Sequence, residues 1–187
     1  MNIFKDTRVL TEAALAIALA FVLGLITIFR MPLGGSISLE MVPLILLAVR
    51  QGWKVGMLAG AAYGLLNLAV NPIILHPIQV LFDYPLPFAA LGLAGLFDPT
   101  VRGAIAGTIV AVLARFAAHF VSGVAFFASY APEGWNPFVY SAAYNAAYLV
   151  PSLIVVLITV PILLRALAQT RPSRREQEFD LVSSKVR

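Results

Sequence analysis

Residues 138–167 read FVYSAAYNAAYLVPSLIVVLITVPILLRAL, a run in which Arg165 is the only charged side chain. About 20 mostly apolar helical residues cross the roughly 30 Å hydrocarbon core of a bilayer, and this run is longer than that. Outward from it, five further apolar stretches cover residues 7–29, 37–49 (a short one), 53–70, 74–97 and 100–128. They are separated where Pro, Gly and charge gather: Pro32-Leu33-Gly34-Gly35, Gln51-Gly52, Asn71-Pro72, Asp98-Pro99 and Ala131-Pro132-Glu133-Gly134. Such clusters are turn chemistry.

Composition agrees. The 187 residues are 60% hydrophobic and 12% charged, with a mean hydropathy of +0.90. Soluble domains carry roughly 45–50% apolar and about 25% charged residues, and such an excess cannot be hidden inside an aqueous globule. A soluble enzyme and a nucleic-acid binder are thereby excluded. The pI of about 9.7 reflects instead the bias of Lys and Arg towards cytoplasmic loops. Cys is absent, which removes disulfides, thiolate nucleophiles and Cys-based metal sites.

The expected fold is an all-α integral membrane protein, a six-transmembrane-helix bundle over residues 1–170. A polar tail, residues 171–187, is expected to be a disordered cytoplasmic end. The first apolar segment is too long for a signal peptide and lacks a cleavage pattern. With the N-terminus inside, Lys5, Arg8, Arg50, Lys54, Arg102, Arg165, Arg171, Arg174 and Arg175 fall on one side and Arg30 on the other. That asymmetry predicts cytoplasmic N- and C-termini.

Small residues recur at helical spacing: Gly56, Gly60 and Gly64; Gly103 and Gly107; Ala14 and Ala18, with Ala16 and Ala20 beside them. Such strips let membrane helices approach closely. They serve either packing within the bundle or docking of a partner helix, and the first helix is the better docking candidate.

Ionisable groups inside spans are costly and usually face a cavity or one another. Asp83, with Tyr84 beside it and Gln79 one turn earlier, lies within the fourth stretch. Arg115 and His119 share a face of the fifth, and Asn145 lies in the sixth among Tyr140, Tyr144 and Tyr148. Asp83, His119 and Asn145 are predicted at a common depth in the outer half. Structural alternatives exist for each. Arg115 and Asp83 would suit a buried ion pair, His119 a satisfied core histidine, and the tyrosines packing or an interfacial belt, the belt being favoured for Tyr148. Convergence of acid, imidazole, amide and phenols favours a small-molecule pocket. A carboxylate among aromatic rings suits a planar cation, and His and Asn edges suit a nitrogen heterocycle.

Zinc-protease, nucleophile-elbow and P-loop signatures are missing, so an energy source for transport must be a gradient or another subunit. A membrane-embedded hydrolase using Ser122 and His119, one turn apart, with Asp83 orienting the imidazole, is the rival from another class.

Six segments carry a resemblance: LTEAAL at 10–15, GSISLEMVP at 35–43, QVLFDYP at 79–85, RFAAHFVSG at 115–123, FFASYAP at 126–132 and YSAAYN at 140–145. Over roughly the first 165 residues the chain resembles the thiamine-specific substrate-binding (S) components of energy-coupling factor (ECF) transporters, the ThiT/YuaJ family. The resemblance implies a six-helix subunit of a bacterial cytoplasmic membrane that captures thiamine and needs no cofactor. Its implied partners are a transmembrane coupling protein and two ATPase subunits.

The resemblance also implies roles. Asp83 matches an acidic position, usually Glu, facing the thiazolium, and Tyr84 the adjacent tyrosine. His119 matches a ligand-binding histidine, and Gly123 a small residue lining the site. Phe127 stands where the family commonly has a stacking tryptophan. Tyr140 and Asn145 match ligand contacts on the sixth helix, and Ala14 and Ala18 an AxxxA surface that docks the coupling protein. Residues 32–38 correspond to a loop closing over the vitamin. Arg115 completes the expected site. Asp for Glu shortens the carboxylate, and Phe for Trp reduces the stacking surface, so another heterocycle, such as the pyrimidine moiety or riboflavin, is the alternative ligand. Tyr140 and Asn145 are five apart and share no narrow helix face, which requires Tyr140 near the helix start.

Overall fold

A computed structural model describes residues 6–170 and 172–185. Lys5 and Arg171, counted in the charge bias, and the last two residues of the tail lie outside the described residues. Among the described residues the chain is nearly all helical, with five helical segments long and apolar enough to cross a membrane and a shorter apolar one, Met41–Gln51.

Helix α1 (Thr7–Leu25) starts on Asp6, whose carboxylate accepts from the Arg8 and Val9 N–H groups, satisfying two donors that no helical turn can reach. It ends four residues before the apolar stretch does. From there the β-branched Thr27 and Ile28 enter a strand, β1 (Thr27–Arg30), antiparallel to β2 (Ser36–Ser38). This short hairpin is an addition to a chain that is otherwise nearly all helical, as expected. The Pro32–Gly35 cluster closes a hairpin in which Leu33 (φ 64°) and Gly34 (φ 98°) both take left-handed conformations, a strained choice for leucine.

Helix α2 (Met41–Gln51) is buried along most of its length. Pro43 sits in its first turn, where the missing N–H has no helical acceptor to lose. Gly52, at φ 94°, turns the chain into α3 (Trp53–Val70). The glycines of α3 are packing residues: a Cβ at Gly56 would strike Ala48, at Gly60 the Phe88 carbonyl, and at Gly64 the Tyr84 carbonyl. Gly107 is likewise closed off by Ala94.

The stretch 74–97 is not one continuous helix. His76 and Gln79 form a capping box at the start of α4 (Pro77–Asp83). Pro85, with no N–H, ends it, and α5 (Pro85–Ala90) runs on into a 3₁₀ segment, Leu91–Leu96. Thr100 caps α6 (Val101–Phe126). Helix α7 (Pro137–Thr170) is the longest and contains Pro151 and Pro161.

The segment expected as a disordered tail is corrected: it forms α8 (Arg174–Lys185). Ion pairing and backbone contacts hold its start in place. Glu176 pairs with the buried Arg50 (3.1 Å), and the Ser173 hydroxyl donates to the Arg50 carbonyl (2.9 Å). Arg175 donates to the carbonyls of Val49 and Phe97, each at 2.6 Å, and this burial lowers its pKa below the usual guanidinium range. Arg8 reaches the Pro172 carbonyl, so the start of α1 and α8 lie at one end of the bundle.

One core, built on Leu44, Ile45, Ala48, Leu91, Ala111, Val156 and Val160, joins α2, α6, α7 and the 3₁₀ segment. The opposite faces stay apolar: Leu15, Leu19 and Val22 on α1, and Ile154, Ile158 and Ile162 on α7, are more than half exposed. Such faces suit hydrocarbon, where helices satisfy their own backbone.

Candidate functional site

The helix directions place the hairpin, the loop 71–76 and the ends of α6 and α7 together, away from α8. There they enclose a cavity of about 450 Å³, within the range of small-molecule sites. All eight residues singled out for ligand contact line it. Asp83 and Tyr84 come from the α4–α5 break; Arg115, His119 and Gly123 come from successive turns of α6, and Phe127 caps its end; Tyr140 and Asn145 come from α7. Tyr140 lies in the first turn of α7, its N–H bonded to Asn136 O (3.0 Å). The cavity reaches both α7 residues there.

Arg115 does not pair with Asp83. Its Nη2 donates to Glu40 Oε1 at 3.1 Å, with both side chains buried, and its guanidinium stacks on Phe88 (4.1 Å). The Tyr63 hydroxyl donates to the other Glu40 oxygen at 2.7 Å. Glu40 and Tyr63 were not legible as site residues, although one signal was available. A carboxylate directly ahead of ten mostly apolar residues must find a partner when that run is buried.

Asp83 is held from two sides. Gln79 Nε2 donates to its Oδ2 (2.6 Å), and His119 Nδ1 stands 3.4 Å from its Oδ1. The imidazole Nε2 has no partner among the described residues and its ring meets Tyr148 edge-on (6.2 Å). Tyr148 is buried rather than part of an interfacial belt, and its hydroxyl donates to Asn145 Oδ1 (2.9 Å). The Asn145 amide nitrogen donates to the Ser141 carbonyl (2.9 Å). One lone pair of Asn145 Oδ1 is therefore left for a ligand.

The hairpin forms one wall, contributing Arg30, Met31 and Gly34 among others. Tyr144, beside Tyr148 on α7, ties it down: its hydroxyl accepts from the Gly35 N–H (3.2 Å) and donates to the Pro32 carbonyl. A Cβ at Gly35 would meet the Tyr148 ring at 2.7 Å, so glycine permits this close approach. Gly123 has the corresponding role between helices, since a Cβ there would strike the Ser141 hydroxyl.

Ser122 is fully buried, is not part of the cavity lining, and its hydroxyl makes no hydrogen bond among the described residues. A nucleophile needs both access and a base. Ala14 and Ala18 lie on the exposed face of α1, with Ala16 and Ala20 buried.

Residues 10–171 match the family model described as thiamine transporter protein (Thia_YuaJ). The chain is 37% identical over 160 residues to thiamine transporter ThiT of Bacillus subtilis strain 168, covering 77% of this chain and 83% of that protein. It is 33% identical over 158 residues to the protein of that name from Lacticaseibacillus paracasei, covering 75% and 79% respectively. The structure of ThiT from Listeria monocytogenes superposes with a TM-score of 0.78 at 32% identity, covering 87% of this chain and 96% of that one. An S component of a bacterial ECF transporter shares the fold, with a TM-score of 0.62 at 21% identity over the same shares. The chain belongs to the thiamine transporter protein family, Thia_YuaJ.

Proposed function

We propose that this protein is the thiamine-binding S component of an ATP-driven ECF vitamin transporter in a bacterial cytoplasmic membrane. The observation that carries the reading is the cavity into which Asp83, His119, Asn145 and a set of tyrosines converge. Kinship with proteins named thiamine transporters supports the ligand. Likeness to an ECF S component supports the assembly.

Asp83 opposes the positive charge of the thiazolium. Phe127 and Tyr140 present aromatic faces to the rings, and Tyr84 closes the side beside Asp83. His119 Nε2 and the free lone pair of Asn145 read polar edges of the aminopyrimidine. Arg115, neutralised by Glu40, shapes the floor, and Gly123 lets α6 and α7 close together at the cavity wall. Nothing in this arrangement calls for chemistry on the substrate: the protein binds and releases.

Met41–Gln51 counts as a sixth, short span beside the five long ones. Arg8, Arg50, Lys54, Arg102 and Arg165 lie towards the α8 end, which the positive-inside rule makes cytoplasmic, together with both termini. The cavity then faces outwards. The Ala14–Ala18 strip docks the coupling protein, which also carries two ATPase subunits.

The test is fluorescence titration of the purified protein in detergent, with Trp135 near the cavity and Trp53 at the far end as reporters. Saturable quenching by submicromolar thiamine, selective over riboflavin and the isolated pyrimidine, is expected. Tighter binding of a neutral heterocycle would move the substrate. No binding, checked by calorimetry, would end the assignment.

A further inference from the structure

Gln79 has no exposed surface and all its amide hydrogen-bonding atoms are engaged. Its Oε1 accepts from the Leu75 N–H (2.9 Å) and, at 3.5 Å, from the His76 N–H. Its Nε2 donates to the Ile73 carbonyl (3.1 Å) and to Asp83 Oδ2 (2.6 Å). The oxygen completes the capping box of α4, a task that glutamate performs equally well. The nitrogen does something that a cap does not need. It fixes one oxygen of the cavity carboxylate and leaves the other turned to His119, 3.4 Å away. An amide accepts from the cap and donates to a carboxylate at once, whereas an ionised glutamate can only accept.

The same side chain reaches towards the lid. The Ile73 N–H is bonded to the Tyr84 hydroxyl (2.7 Å), which in turn donates to Asn71 O (2.8 Å). Ile73 also lines the cavity, and its Cδ1 stands 3.0 Å from where a Cβ on Gly34 would lie. A single buried amide thus joins the carboxylate, the 71–76 loop and, through Ile73, the hairpin tip.

We infer that Gln79 is a positioning residue for binding: it orients the Asp83 carboxylate towards the cation and thereby sets the preference for charged over neutral heterocycles. The inference rests on the thiamine-binding reading of the cavity.

The test is a double-mutant cycle. Thiamine and the neutral pyrimidine are titrated against the unsubstituted protein, Gln79→Met, Asp83→Asn and the double variant. Gln79→Met keeps the volume and loses the amide. It is expected to bind thiamine at least tenfold more weakly, the pyrimidine changing less than threefold. In the Asp83→Asn background the same change is expected to cost less than twofold. Gln79→Leu, which also removes the N–H donor and adds no charge, supplies the same comparison where the Met variant does not fold. Equal factors in both backgrounds, or unchanged thiamine affinity in Gln79→Leu, would overturn the assignment while the functional reading stood. Failure of the unsubstituted protein to bind thiamine would overturn the reading itself, and the assignment with it.

Discussion

Arg115 Nη2 lies 3.1 Å from Glu40 Oε1, and the pair is buried at the floor of the cavity beneath Asp83. Tyr63 bonds the second Glu40 oxygen, and Phe88 covers the guanidinium. Two charges that would be prohibitive alone are thereby neutralised together. Asp83 is left with Gln79 and His119 as its hydrogen-bond partners.

This pairing predicts an asymmetric response to substitution. Arg115→Met strands Glu40 and is expected to destabilise the protein by about 3–5 kcal/mol, the usual cost of breaking a buried pair. Arg115→Met combined with Glu40→Gln is expected to recover most of that loss. Thermal denaturation of the unsubstituted protein and both variants in detergent checks it; a double variant no more stable than the single would contradict the pairing.

Tyr144 holds the hairpin by two hydrogen bonds through one hydroxyl. Each such bond contributes about 0.5–1.5 kcal/mol net. Tyr144→Phe is therefore expected to speed ligand release by roughly 5–150-fold while association changes little. Stopped-flow fluorescence separates the two rates. An unchanged release rate would show that the hairpin is not held from α7.

Ala14→Trp and Ala18→Trp place an indole on the exposed strip of α1. Both are expected to abolish co-purification with the coupling protein and to leave thiamine affinity within twofold. Formation of an intact complex would return that strip to lipid contact alone.

Glu176 is the buried partner that anchors α8 to Arg50, with Glu12 also 3.8 Å from Arg50. Because Glu12 remains, Glu176→Ala is expected to cost less than the about 3–5 kcal/mol of a fully broken pair. It should release α8 to limited proteolysis without altering ligand binding. Equal protease resistance would mean that the Arg175 and Ser173 contacts suffice.

Much of this arrangement was legible in the chain. The apolar runs located the long helices, because hydrocarbon demands length and uniform apolarity. The few polar residues within them located the cavity, because such residues persist only where they face one another. Local backbone chemistry hid the rest. Residues 26–30 are as apolar as a helix end, yet Thr27 and Ile28 favour a strand once the Pro32–Gly35 turn folds the chain back. The partner of Arg115 was not legible, because Glu40 stands at the head of α2, where a carboxylate reads as a helix-end residue rather than a buried one. Helix α8 is mostly polar, and its start is held by Arg50 and the Val49 and Phe97 carbonyls, contacts distant in sequence.

The central claim is that Asp83 recognises the charge of thiamine. Two opposite charges about 4 Å apart interact by about 4 kcal/mol at an effective dielectric near 20. An asparagine dipole retains part of that attraction, so Asp83→Asn is expected to lose on the order of 100-fold. Isothermal titration of the unsubstituted protein and Asp83→Asn, each with thiamine and with the neutral pyrimidine, measures this directly. A large loss for thiamine with a change below threefold for the pyrimidine is the predicted result. Equal losses for both ligands would contradict it.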